Sequence, residues 1–392
     1  MKVKSLFVEK LKGLRDFNID FNEGVTVLIG ENGTGKTTIL ETIYNIVTKS
    51  SQSIFDGLKL KVEFSDHELE ILNKINAHYN EPLLNKLDNI GDGVNPDLKE
   101  CYESEESTNI VYLPTEVNFK KYRVETLKKM KSTQDFGIIL NSDELSINLK
   151  DFLVYEHYRD LEDKESGKKG LRIKKYKDLY NSFFEDKEFI GIKDLEPLFK
   201  IKSTEETHSV DELSSGEKQI FFRAGSILGY NLHNSIILID EPEISLHPEW
   251  QQNILDFYRK VAGNNQLIIA THSPHIISSC KKEEVRVLVK DRDRIIVNEH
   301  IEGTYGRTVE QLLLSVFDLE SVRDKNVQVK LDEFKKLYIN QENLNGHEKN
   351  KLANLKIELY KYLDPNDPAL SLVDIDEATE KLKSLMDEMK VN

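Results

Sequence analysis

Cysteine is scarce in this sequence: Cys101 and Cys280 are the only two among 392 residues. A chain of that length buries enough core to fold without disulfide staples. The two cysteines have no metal-like spacing, and "MKVKSLFVEKLKG" lacks the charged, apolar and small regions of a secretory leader, so the expected home is a reducing cytoplasm. Long apolar runs are missing as well. Nothing approaches the roughly 18 residues of a membrane span, and the longest, "SIILI" and "QLIIA", read as buried strands. Internal repeats and low-complexity segments are absent.

Positive charge is also in deficit, with a formal net charge of −15. A surface that coats itself in nucleic acid by charge alone is therefore excluded. Local binding to DNA stays open, because "KYRVETLKKMK" and "KKGLRIKKYK" read either as basic patches or as solvated faces of ordinary elements.

What is present is an α/β pattern at both ends of a long insertion. "KVKSLFVEKLKGLRDFNIDF" has strand-like positions interrupted by "KGLRD", and "GVTVLIG" follows as a buried strand. "KTTILETIYNIV" is a helix, with Ile39, Ile43 and Ile46 or Val47 on one face. "LKLKVEFSD" reads as a strand, "DHELEILNKINAHYNEPLLNKLDNI" as helix with turns, "GDGVNPDLKECYESEEST" as a loop and "NIVYLPTE" as an apolar strand closed by proline. The α/β pattern returns after residue 210 with "SGEKQIFFRAGSILGYNL", "SIILID", "HPEWQQNILDFYRKVAG" and "QLIIATHS". The expected organisation is a core of residues 1–50 and 205–305 with strands from 58–118. A compact helical lid fills 121–204, and a helical region spans 306–392. No sustained heptad supports a long coiled-coil arm.

Four motifs carry chemistry. "GENGTGKT" places Gly30, Gly35, Lys36 and Thr37 as G-x-x-x-x-G-K-[ST] between a strand and a helix. Backbone N–H groups of such a loop, here including Asn32, Gly33, Thr34 and Thr38, turn toward phosphates. Lys36 would reach the β and γ oxygens, and the Thr37 hydroxyl would ligate Mg²⁺. "SIILIDEPE" delivers two carboxylates beside that loop if the two strands are neighbours: Asp240 for the metal and Glu241 to polarise the attacking water. "LSSGEKQ" puts Ser214, Ser215, Gly216 and Glu217 at a helix start; alone it is an ordinary capping box. "IIATHSP" sets His272 after a buried strand.

Together, in this order, the four motifs resemble the ABC ATPase superfamily in its RecF/SMC/OLD-like non-transporter branch. "DEPEISLHP" is the distinguishing piece, because transporters usually continue Asp-Glu-Pro with Thr or Ser and a Leu-Asp. The resemblance implies an ABC-type P-loop fold and an ATPase using ATP and Mg²⁺. It implies a homodimer in which Ser214 to Glu217 hold the γ-phosphate of the partner's nucleotide, and it assigns His272 as the switch histidine. No glutamine takes the family's Q-loop position; "YLPTE" at 112–116 is the candidate for its place.

An OLD-type nuclease module is not expected. Asp291 and Asp293 spell Asp-x-Asp, but in an apparent tight hairpin with no strand supplying a preceding glutamate. The tail beyond 305 instead resembles stand-alone defence ATPases, PtuA-like proteins of Septu systems and those of some retrons. That resemblance implies a separately encoded effector, a nuclease, gated in antiphage defence. A RecF-like DNA repair or DNA-end sensor is the alternative.

Overall fold

The computed structural model describes residues 1–48, 57–70, 87–90, 110–115, 119, 121, 124, 137–298, 303–364 and 367–369. Short β-branched runs build a seven-stranded central sheet in the order β14-β13-β3-β12-β11-β6-β7. Its strands are β3 (Val25–Gly30), β6 (Ile110–Leu113), β7 (Gly137–Ile139), β11 (Ile236–Asp240), β12 (Gln266–Ala270), β13 (Val285–Asp291) and β14 (Arg294–Asn298). All neighbours are parallel except the β13–β14 hairpin. The central strands β11 and β12 are buried at every residue, as expected of parallel strands covered on both faces.

The phosphate-loop strand β3 and the carboxylate strand β11 are not neighbours, so the condition that would bring the carboxylates beside the loop by adjacency is not met. β12 lies between them. Its register aligns Asp240 with Ala270 and Ala270 with Leu28, so the carboxyl ends of all three strands finish together. The helix after β3, α1 (Lys36–Thr48), packs against β3, β12, β11 and β6. That path carries its first turn across β12 to the end of β11.

A second, antiparallel sheet has the order β2-β1-β4-β5, from β1 (Lys2–Leu11), β2 (Leu14–Asp20), β4 (Leu58–Glu63) and β5 (Leu87–Ile90). β5 corrects the helical reading of "LDNI"; it pairs with β4. Residues 71–86 of that segment, the loop 91–108 and nearly all of "KYRVETLKKMK" lie outside the described residues. Period-2 alternation turns Leu6, Val8, Phe17, Ile19, Leu60 and Val62 inward, where they share one core with Ile39, Ile43 and Ile46 of α1. Buried Gln266 joins the two sheets. Its Oε1 accepts the Val3 N–H at 2.8 Å, and its amide donates to Val3 O at 2.8 Å and Asn22 O at 2.7 Å. Gln266→Leu leaves two buried backbone groups and one half-buried one without their side-chain partner, so urea unfolding is expected to show a loss of about 2–4 kcal/mol; a loss under about 1 kcal/mol would remove Gln266 as the sheet-to-sheet bridge.

The insertion opens with α2 (Ser142–Glu165) and α3 (Arg172–Asn181). It then departs from the helical expectation: β8 (Lys187–Lys193), β9 (Glu196–Ile201) and β10 (Thr207–Ser209) form an antiparallel sheet. The reason is a change of period within one aromatic cluster. Tyr176 and Tyr180 are one helical turn apart, whereas Phe189 and Phe199 are cross-strand partners, and all four are buried. Tyr180, Phe189 and Phe199 pack on Phe221 of the next helix, α4 (Ser215–Tyr230), and the Tyr180 hydroxyl donates to Phe221 O at 2.8 Å. Within "KKGLRIKKYK", Arg172 pairs with Glu156, Asp160 and Asp163, and Lys174 pairs with Asp178.

Three further helices complete the first compact unit, Met1–Leu312: α5 (Pro248–Ala262), α6 (Pro274–Ile277) and most of α7 (Val309–Ser315). The second unit begins at Leu313. In it, α8 (Lys325–Ile339) and α9 (Gly346–Tyr362) bury Leu331, Phe334, Leu355 and Leu359 against each other. Arg323 adds a bidentate pair with Asp367, both bonds 2.7 Å. No helix among the described residues is long and apolar enough to cross a membrane.

Candidate nucleotide site

The loop between β3 and α1 is shaped by its glycines. Gly30 has φ 152°, and a Cβ there would stand 2.3 Å from Leu288 O; Gly33 and Gly35 have φ 80° and 84°. Only glycine takes these backbone angles without strain. The loop is closed by the Thr34 hydroxyl, which donates to Glu31 O at 2.8 Å. Lys36 is 5% exposed, and its ammonium donates to Gly30 O at 2.9 Å and Glu31 O at 3.1 Å. Burial pulls its pKa down to about 8, opposed by Glu241, Asp240 and Glu243 and assisted by Lys290.

Thr37 reaches across the sheet, its hydroxyl donating to Asp240 Oδ2 at 2.8 Å. The other oxygen, Asp240 Oδ1, is buried with no hydrogen-bond partner. A buried carboxylate oxygen is costly to leave bare. Hydroxyl plus unshared carboxylate oxygen is the hard-oxygen donor set that Mg²⁺ takes, so these residues fit the metal.

Glu241 follows in the left-handed region at φ 45°, a strain that non-glycine residues carry mostly at functional sites. Its N–H extends the ladder to Ala270 O at 2.8 Å. Its carboxylate Oε1 lies 3.8 Å from Nε2 of His272, each side chain about a third exposed. Burial, then the Asp240 charge, raises the Glu241 pKa, which makes it a stronger base. Burial and the Lys36 charge lower that of His272, favouring neutral imidazole.

Asn32, Gly33, Gly35, Lys36, Thr37, Thr38, Glu241 and His272 line one cavity of about 310 Å³. Ser214, Ser215, Gly216 and Glu217 do not line it. Ser214 and Ser215 are exposed at the start of α4. Gly216 is packed so closely that a Cβ would meet Ser245 O at 2.5 Å. The Glu217 carboxylate is committed to a capping box with Ser214 and to Lys187, so its role is to hold the helix start.

Sequence reasoning missed several contributors. Lys12, Leu14 and Ile295 also line the cavity, and Lys290 donates to Asn32 O at 3.0 Å; each is distant in sequence with no local signature. Buried Arg223 of α4 donates to Asp240 O at 3.4 Å and Pro114 O at 2.5 Å, tying the ends of β11 and β6 together. Of the candidate Q-loop, Tyr112 and Leu113 end strand β6, Pro114 and Thr115 follow it, and Glu116 lies outside the described residues. The Asp-x-Asp residues turn a hairpin: Asp291 pairs with Arg294, and Asp293 with Arg15. No group of three or more His, Cys, Asp or Glu suited to a metal ion occurs among the described residues.

The family described as "AAA domain, putative AbiEii toxin, Type IV TA system" matches residues 25–278, a span reaching from β3 through α6. The chain belongs to this family. Among similar proteins, the Septu protein PtuA of Bacillus thuringiensis is 25% identical and aligns over 95% of this chain and 96% of its own length. The Retron Vc95 probable ATPase of Vibrio cholerae serotype O1 biovar El Tor is 24% identical, covering 76% of this chain and 75% of that protein. A solved SMC head bound to the C-winged helix domain of ScpA covers 76% of this chain at 13% identity and a TM-score of 0.46. The motif-based resemblance to PtuA-like and retron-associated ATPases thus holds across most of the chain, and this AAA-domain protein has the ATPase fold its motifs imply.

Proposed function

We propose that this AAA-domain protein binds ATP with Mg²⁺, hydrolyses it slowly and closes as a homodimer around nucleotide. That closure gates a separately encoded effector, a nuclease, in antiphage defence. Lys36 and the loop N–H groups would hold phosphates, Thr37 and Asp240 would hold a metal that neutralises phosphate charge, and Glu241 would accept the proton of the attacking water. The supporting observation is a site split in two: the phosphate loop, Asp240, Glu241 and His272 converge, while Ser214 and Ser215 stand exposed on a helix start outside the cavity. A helix N-terminus is an anion site, and a second copy of the chain brings one to each cavity. The similarity to PtuA along almost the full chain supports the defence role.

Mixing two dead variants tests the composite site. Ser214→Arg blocks the donated half and Lys36→Ala the receiving half, so each alone is expected to lose at least about 90% of turnover. A mixed dimer keeps one intact site and regains activity. If mixing restores nothing while both variants stay folded, each subunit works alone. Copurification identifies the effector, and its cutting is expected to depend on the nucleotide state of this chain. ATP-dependent, salt-sensitive DNA binding with no associated effector would favour the repair reading instead.

A further inference from the structure

We propose that Glu243 is a positioning residue for hydrolysis: its buried carboxylate fixes the turn that carries His272 and so sets the approach of His272 to Glu241. This rests on the reading of the cavity as an ATP-hydrolysing site.

Glu243 lies two residues beyond Glu241 and is not among the residues lining the cavity. A single oxygen, Oε1, accepts the Thr271 hydroxyl at 2.7 Å and the His272 backbone N–H at 2.7 Å. With its proton given to Glu243, the Thr271 oxygen accepts the Ser273 N–H at 2.9 Å. The Ser273 hydroxyl donates to Gln251 Oε1 at 2.7 Å, and the Gln251 amide returns to Leu246 O at 3.0 Å. The turn 271–273 is therefore anchored from the segment after β11, with Glu243 holding the two groups nearest the imidazole. Hydrogen bonds to an ionised acceptor are about twice as strong as neutral ones, which stiffens the hold.

Pro242 separates the two carboxylates and restricts its own φ, which narrows the backbone freedom of the Glu241–Glu243 unit. Gln219 of α4, fully buried, clamps this unit by donating to Pro242 O at 3.0 Å. The second oxygen, Glu243 Oε2, is buried with no hydrogen-bond partner. Burial raises the carboxyl's pKa, with the Thr271 and His272 bonds pulling the other way. Keeping a half-satisfied carboxylate beside the site is a stability cost that a neutral cap would avoid, and the geometry of His272 is what it obtains.

The test is steady-state ATP turnover by the full chain carrying Glu243→Ala, Glu243→Gln or Thr271→Val. Glu243→Ala is expected to lower kcat about 10–100-fold with KM within about threefold, because misplacing a site group by about 1 Å costs up to 10² in rate. Glu243→Gln keeps an acceptor oxygen and is expected to restore most of the loss. Thr271→Val keeps shape, removes one donor and reproduces part of it, so the proposal stays testable if the alanine variant misfolds. Parental kcat in Glu243→Ala, or a KM rise as large as the kcat loss, overturns the proposal. So does a glutamine variant as slow as the alanine. Hydrogen exchange of the 271–273 amides, measured without nucleotide, is expected to be about tenfold faster in Glu243→Ala. It separates the two ideas: a parent that never hydrolyses ATP defeats the functional reading, whereas unchanged exchange defeats the role of Glu243.

Discussion

Glu241→Gln is expected to lower ATP turnover by about 10²–10³-fold while ATP stays bound. Among the residues lining the cavity, Glu241 is the only carboxylate. Burial and the Asp240 charge raise its proton affinity, so it is the group best placed to take a proton from an attacking water. Glutamine preserves length and shape and adopts the left-handed backbone at 241 about as readily as glutamate. The loss therefore reads the proton acceptor rather than the fold. Phosphate contacts stay with Lys36 and the loop, so binding is retained and the ATP-bound dimer accumulates. Turnover assays together with size-exclusion in ATP check both halves. Parental turnover would strip Glu241 of the role. A slow variant that stays monomeric in ATP would keep the base and remove the dimer.

The glycine loop, Asp240 and Glu241 could be picked out as candidates because their pattern is written locally, and the structure brings them together. A loop that wraps phosphates needs glycines at fixed offsets, and a buried strand that ends in carboxylates shows as "SIILIDE". What escaped depends on contacts between distant segments. Nothing near "QLIIA" says that β12 inserts between β3 and β11, since strand order is a property of the whole sheet. Gln266 and Arg223 look like ordinary polar residues, yet their side chains bridge segments 263 and 109 residues away. The β8–β10 sheet was masked by charge: "DKEFIGIKDLEPLFKI" reads as helix by composition, while the Phe189 and Phe199 pairing depends on a turn at Asp194 and Leu195, both with positive φ. Glu243 was visible as the last letter of "DEPE", but its target, the turn at Thr271 and His272, is 28 residues on.

Raising the pH through about 8 is expected to weaken ATP binding and to stabilise the nucleotide-free protein, two opposite effects of one proton. The Lys36 pKa falls from 10.5 to about 8, chiefly through burial. ATP needs the ammonium form, and bound phosphates raise that pKa again. Affinity is therefore highest below about pH 8 and falls progressively above it, approaching about tenfold per pH unit once the ammonium is lost. Stability runs the other way. Between about 8 and 10.5 the unfolded chain holds a proton on Lys36 that the folded chain has shed, so stability rises with pH across that window. Lys36→Ala removes the titrating group. It is expected to weaken ATP binding by about 10²-fold or more at pH 7.5, since a charge-assisted hydrogen bond to phosphate is lost from a buried site. It also flattens both pH trends. ATP titrations at pH 7.5 and 9.5, paired with melting curves without nucleotide, measure all three. If the alanine variant keeps the parent's pH slope in binding, the proton belongs to another group, and Lys290, which touches the same loop at Asn32, becomes the next one to replace.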